Sequence, residues 1–271
     1  MKYCLSLILS LSSVGTVWAG GHCAAGLTLE DDTLTIATGN PAYYPWVLND
    51  APESGEGFEA AIAYAIAEEM GFDAEAVAWV RTSFDEAIQP GAKNFDFNLQ
   101  QYSITEAREQ MVDFSAPYYT SAMAVLTTQS VLDAGATPDL DSLRELRWGA
   151  DANTTAVPMI SDIIAPSTEP IIYVATPALT AAMQAGKIDA AMFDLPTALV
   201  LSAVVVEGGV ILGQFPADRS ESPDQFGLLM EEGNPLRECV DAAIESLQAE
   251  GRIAAIEAEW LQEATGVPVI E

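Results

Sequence analysis

A guanidinium and a row of hydrogen-bonding side chains stand together in Gln100-Gln101-Tyr102-Ser103-Ile104-Thr105-Glu106-Ala107-Arg108. The alternating segment Phe95-Asp96-Phe97-Asn98-Leu99 before it reads as a strand. That strand ends in Gln100, Gln101 and Ser103, and Thr105 offers an N-cap to a short helix whose first turn carries Arg108. Free backbone N–H groups, hydroxyls and a guanidinium in one place form a receptor for a carboxylate. The same residues also describe a plain strand–turn–helix with an exposed arginine, and local sequence leaves both readings open. Asp151-Ala152-Asn153-Thr154-Thr155 begins a helix with small residues and hydroxyls, a second place suited to an anion, although capping alone explains its threonines. Asp194 follows a strand and precedes Pro196, which is placed to start a helix. Ligands of open α/β sheets lie beyond the strands' carboxyl ends, where Asp194 stands, and a helix cap is its other reading.

The elements that must hold these side chains alternate. Thr33–Thr38 reads as a first strand leading into Gly39-Asn40-Pro41-Ala42-Tyr43-Tyr44-Pro45-Trp46, a loop that exposes much aromatic surface. Gly57 opens a helix with apolar positions Phe58, Ile62, Ala65, Ile66 and Met70, and Gly71 ends it. Val77–Val80 is a strand, and Ser83-Phe84-Asp85-Glu86 is a capping box that starts the next helix. Arg81, between them, suits either a pocket or the surface. Met123–Thr128 and Gly208–Phe215 read as two crossings between lobes, a two-strand hinge. Between them come strands Leu146–Ala150, Pro170–Val174 and Gly186–Phe193 with a helix over Thr176–Ala185, an α/β order that implies a largely parallel sheet. Phe226–Met230 is a strand, and helices over Leu236–Ala249 and Gly251–Trp260 close the chain.

Residues 1–19 carry one early lysine, a short apolar run and small residues at Val17 and Ala19, the pattern of a cleavable secretory signal. The run is too short for a membrane span. The remaining length, about 250 residues, suits either one large domain or two of ordinary size, and half the residues are hydrophobic, enough for a core in each of two lobes. A formal charge of −30 argues against nucleic acid or an anionic membrane surface as partner. Cys4 leaves with the signal, so Cys23 and Cys239 remain as an even pair in an oxidising compartment. Joined, they would add roughly 4–5 kcal/mol by loop closure; as two separate buried thiols they would not. His22 and the cysteines make no metal cluster, and no metal or cofactor is expected.

Ser103-Ile104-Thr105-x-x-Arg108 followed by Val112-Asp113-Phe114-Ser115-x-Pro117-Tyr118-Tyr119 resembles the signature of the periplasmic amino-acid-binding proteins of ABC importers. The tail, with Phe226-Gly227-Leu228, Gly233-Asn234, Gly251-Arg252-Ile253 and Glu259-Trp260, resembles that family's closing pattern, so the likeness spans nearly all of the exported chain. It implies an α/β fold of two lobes, each a mostly parallel sheet flanked by helices, with lobe 1 over 26–124 and 215–271 and lobe 2 over 125–214. It further implies that Arg108, Ser103 and Thr154 hold a ligand's α-carboxylate, that Asp194 with Gln101 or Ser103 takes its α-ammonium, and that Tyr43 and Phe84 sandwich its side chain. Trp46 takes the place of the family's phenylalanine and is expected to pack in the lid. Gln100 and Gln101 depart from the small hydroxyl residues usual there; with Asn40 they suggest a polar, uncharged or weakly charged side chain. The resemblance thus implies a monomeric periplasmic protein that captures a free amino acid, delivers it to an ABC permease and catalyses nothing. Some exported dehydratases and lyases share the fold, using a cleft carboxylate as general acid, for which Asp194 or Glu56 would be the candidates; a ligand-sensing or accessory protein that keeps the fold is the other alternative.

Overall fold

The computed structural model describes residues 23–217, 223–261 and 266–270; the expected signal segment lies outside them. The strands are β1 (Leu34–Gly39), β2 (Val77–Thr82), β3 (Phe97–Asn98), β4 (Asp113–Phe114), β5 (Tyr119–Ser121), β6 (Met123–Thr128), β7 (Trp148–Asp151), β8 (Ile171–Tyr173), β9 (Ala190–Asp194), β10 (Gly209–Phe215), β11 (Asp224–Phe226) and β12 (Leu229–Met230). Among the described residues they form two five-stranded sheets, ordered β2-β1-β3-β12-β4 and β10-β6-β9-β7-β8, and a two-stranded ribbon of β5 and β11. β1 runs parallel to β2 and β3, and β7 parallel to β8 and β9, while β12 and β6 oppose their neighbours. Each sheet therefore has one reversed strand in an otherwise parallel set. In both it is a strand the chain enters directly from the ribbon that links the sheets.

The expected hinge is corrected by one strand on each side. β6 and β10 pair with each other inside the second sheet, whereas the ribbon of Tyr119–Ser121 and Asp224–Phe226 stands between the sheets. The strand expected over Phe226–Met230 is likewise cut in two, because the chain leaves the ribbon at Gly227 and enters the first sheet at Leu229. Gly227 allows the close pass: a Cβ there would lie 2.9 Å from Ile104.

The cores follow from the patterns. The helix Phe58–Glu69 is apolar on almost every side and buries Phe58, Ile62, Ala63 and Ile66 against β1, β3 and the helices Arg237–Ala249 and Arg252–Trp260. β1 and most of β6 are buried on both faces; β1 nevertheless alternates in sequence, because it includes the buried threonines Thr35 and Thr38. Separate apolar clusters cover the two faces of the second sheet, one around Trp148 and Ile160, the other around Leu179 and Phe193. Cys23 and Cys239 are joined, with Cα atoms 5.6 Å apart.

Candidate functional site

The loops after β1, β2 and β3 leave the first sheet toward the loops after β7, β8 and β9 of the second. Between them lies a cleft of about 910 Å3, and Tyr43, Phe84, Gln101, Ser103, Arg108, Thr154 and Asp194 all line it. The parallel strands deliver their carboxyl ends to one place, as sheets of this kind do.

Thr105 accepts a hydrogen bond from the Arg108 backbone N–H at 3.3 Å, so the short helix Glu106–Glu109 begins where its sequence says. That cap aims the guanidinium back along the chain. Arg108 donates to the Ser103 carbonyl at 2.7 Å and, across the cleft, to the Asn153 carbonyl at 2.8 Å. Its guanidinium carbon lies 5.3 Å from the Phe84 ring centroid, and Phe84 in turn stacks on Tyr102 with centroids 4.6 Å apart. Arg108 is thus 93 % covered rather than exposed, its other sequence reading. Asn153 adopts the left-handed conformation (φ 61°) that an asparagine tolerates, and Thr154 turns its hydroxyl onto the Asp151 carbonyl at 2.8 Å. The helix expected beyond it is short, Ala156–Pro158, and passes into a wider turn over Met159–Ile164, because Pro158 has no N–H to continue the pattern.

Gln101 has a different setting from the one its spacing suggested. Its φ is 52°, a strained value for this residue, and both its backbone N–H (2.8 Å) and its side-chain amide donate to Glu59. Tyr118 donates to the same carboxyl group. Burial pushes Glu59 up to about 7 against those donors. Gln100 accepts from the Tyr102 hydroxyl at 2.9 Å. Gln101 is therefore committed within the protein, whereas Gln100 is held through its oxygen and still lines the cleft.

Asp194 caps the helix Leu195–Val200 by accepting from the Thr197 N–H at 2.8 Å, and it still faces the cleft. Burial raises it to about 7, with the Thr197 donors pulling back and Asp224 pushing further. Asp224, at the start of the ribbon strand, also lines the cleft; burial raises it, opposed by Ser103 and Arg108. Asp151 accepts from Thr176 at 2.6 Å, and its other oxygen is buried without a partner among the described residues. Burial raises it too. Glu59, Asp151 and Asp224 escaped the sequence reading. Glu59 had a signal: it is one charge in the first turn of a helix apolar all round. Asp224 had none, since an acid at the start of a short strand is ordinary.

Trp46 packs edge-on against Phe58, Tyr119 and Phe226, as expected of a lid residue, while its indole N–H reaches Thr197 of the second sheet's side at 2.9 Å. Arg81 pairs with Asp50 at 2.6 Å and donates to the Gly39 carbonyl at 2.7 Å, bracing the aromatic loop outside the cleft lining. Ser83 is a cap, accepting from the Glu86 N–H at 3.2 Å. Glu56 is exposed and does not line the cleft, so it is removed as a candidate acid. Among the described residues no group of three or more acidic, histidine or cysteine side chains is arranged to hold a metal ion.

Two α/β sheets joined by a ribbon, with charged groups from both gathered in the space between, define a two-lobed binding protein. The chain belongs to the bacterial extracellular solute-binding proteins, family 3, whose model matches residues 34–263. It is 25 % identical over 206 residues to the L-cystine-binding protein TcyJ of Escherichia coli K12, covering 75 % of this chain and 73 % of that one. It is 26 % identical over 199 residues to the lysine/arginine/ornithine-binding periplasmic protein of the same organism, covering 70 % and 68 %. Among solved structures, an amino acid ABC transporter substrate-binding protein from Streptococcus pneumoniae bound to L-arginine superposes with a TM-score of 0.66 at 25 % identity, over 86 % of this chain and 96 % of that one. An ancestral amino acid-binding protein described as a precursor of cyclohexadienyl dehydratase superposes with a TM-score of 0.67 at 22 % identity, over 85 % and 96 %. Among the described residues no helix is long and apolar enough to cross a membrane.

Proposed function

We propose that this protein is exported to the periplasm behind a cleaved segment near residues 1–19, binds an amino acid by its head group between lobes 26–124 with 215–271 and 125–214, and hands it as a monomer to an ABC permease. The observation that carries this is the convergence of one guanidinium, Arg108, with Ser103 and Asp194 in a single interlobe cleft. Arg108, Ser103 and Thr154 serve the α-carboxylate, and Asp194 serves the α-ammonium, with Asp224 beside it. A zwitterion taken from water without both partners would lose more than the roughly 2–7 kcal/mol that an unmet neutral polar group costs. Tyr43 and Phe84 offer ring faces to the side chain. Gln101 serves the loop through Glu59 and not the ammonium directly. Carboxyl groups outnumber the guanidinium in the cleft, so aspartate and glutamate are the amino acids it should refuse, and neutral or basic ones those it should accept.

Calorimetric titration of the purified protein with the amino acids, repeated with Arg108→Ala, tests the reading. The variant should lose at least a hundredfold in affinity, as a buried charged hydrogen bond to a carboxylate implies. Equal affinity in the variant overturns the assignment.

A second reading rests on Asp194 and Glu59, cleft carboxyl groups held near neutrality as a general acid requires, and on the likeness to the precursor of a dehydratase. Loss of water from a cyclic hydroxy-dienyl acid, abolished by Asp194→Asn, would establish it; binding without turnover favours transport.

A further inference from the structure

The cleft is larger than its polar end requires. At its polar end Arg108 donates to the Ser103 carbonyl at 2.7 Å, Asp224 interacts with both residues, and Asp194 feels the charge of Asp224. The other end is built differently. Tyr43 lies within the field of Asp151, Asp151 is bonded to Thr176, and Thr176 follows Val174 by two residues. The helix Thr176–Gln184 reaches the segment 200–205 through a bond from Gln184 to the Val205 carbonyl at 2.7 Å. Val174, Ala181, Val204 and Val205 thus form an apolar wall of the same cleft, with Tyr43 and Tyr44 also on its lining. Val174 is 91 % exposed, Val204 78 % and Tyr43 51 %, an unusual concentration of bare apolar surface at a cavity mouth.

The lobes already touch across this space. Asn153 donates to Asp85 at 2.9 Å, Trp46 to Thr197 at 2.9 Å and Arg108 to Asn153 at 2.8 Å, each across the divide. With those contacts made, about 910 Å3 remains. That is near the top of the roughly 300–1,000 Å3 range of pockets that hold drug-sized ligands. A free amino acid, of at most about fifteen non-hydrogen atoms, is smaller than the drug-sized ligands that pockets of this volume hold.

We propose that the preferred ligand is an α-amino acid whose side chain carries an apolar extension longer than those of the amino acids of proteins, its head group at Arg108 and its extension along the Val174–Val204–Val205 wall. This rests on the head-group reading above. The extension covers the bare valines and tyrosines and gains the free energy of burying them.

The test is calorimetric titration of the intact protein with S-methyl-, S-butyl- and S-hexylcysteine, which share a head group and differ only in the arm. Affinity rises at least tenfold from methyl to hexyl, and Val204→Asp, at an exposed position that tolerates the charge, flattens the series. A flat or falling series in the native protein, with Arg108→Ala still abolishing binding, overturns the extension and leaves the head-group reading standing. A rising series that Arg108→Ala does not weaken overturns the head-group reading, and the proposal with it.

Discussion

At the scale of single residues, the chemistry turns on carboxyl groups kept out of water. Asp194 is raised to about 7 chiefly by burial, so near neutral pH it is divided between its acid and its anion. An ammonium set beside it favours the anion and must displace the proton wherever the acid form prevails. Binding at pH 6 should therefore release close to one proton, and affinity should weaken by up to about tenfold for each pH unit below 7. Calorimetry in two buffers with different heats of ionisation measures the release directly. Identical heats at pH 6 would show that Asp194 does not meet the ammonium, and Asp194→Asn should remove the buffer dependence where it exists. Arg108 behaves oppositely: burial lowers its pKa, but it stays cationic throughout this range, so the pH dependence belongs to the acids.

At the scale of elements, Glu59 ties the helix Phe58–Glu69 to the loop that carries Ser103. The helix starts where Gly57, at φ 104°, passes so close to the aromatic loop that a Cβ would lie 2.6 Å from the Trp46 carbonyl. Glu59 in the first turn then holds Gln101 in its left-handed conformation. Burial raises the carboxyl from 4.5 to about 7 in the fold, so the native state keeps a proton that the unfolded chain has already lost. The sign follows: this stability is fully present below about pH 4.5 and is lost as pH rises through 7. Unfolding by urea should show stability falling by on the order of 3 kcal/mol between pH 5 and 8 on account of Glu59 alone. Asp194 adds a fall of the same sign, so Glu59→Gln should reduce the slope without abolishing it; an unchanged slope refutes the assignment. Such elements were largely legible beforehand. Thr105, Ser83 and Pro196 mark helix starts that form where they stand, because capping is a local interaction. The ribbon was misplaced by a strand because β5 and β11 are three-residue, largely polar segments with little strand signal of their own, whose pairing is set by distant chain. Gln101 was misjudged for a similar reason: its partner, Glu59, lies 42 residues away.

At the scale of the whole molecule, the formal charge of −30 must be carried by a chain with only 10 basic residues. Mutual repulsion opposes the compact state, and salt shortens its reach from about 10 Å at 0.1 M to about 3 Å at 1 M. The thermal midpoint should rise across that range; a fall would show that the few ion pairs, such as Arg147–Asp189, outweigh the repulsion. The disulfide acts against unfolding in another way. It joins positions 216 residues apart, one near the start of the described chain and one in the helix Arg237–Ala249, which packs against Phe58–Glu69 in the first core. Closing so long a loop restricts the unfolded chain by about 5 kcal/mol in the loop-entropy account, a large share of the roughly 5–15 kcal/mol that holds a domain folded. Neither cysteine lines the cleft. Cys239→Ser should thus lower the urea midpoint sharply while leaving ligand affinity under native conditions within about twofold, and reducing agent should do to the native protein what the substitution does. A loss of affinity in step with stability would mean instead that the covalent tie helps to set the cleft itself, through the helix Phe58–Glu69 and Glu59 at its first turn.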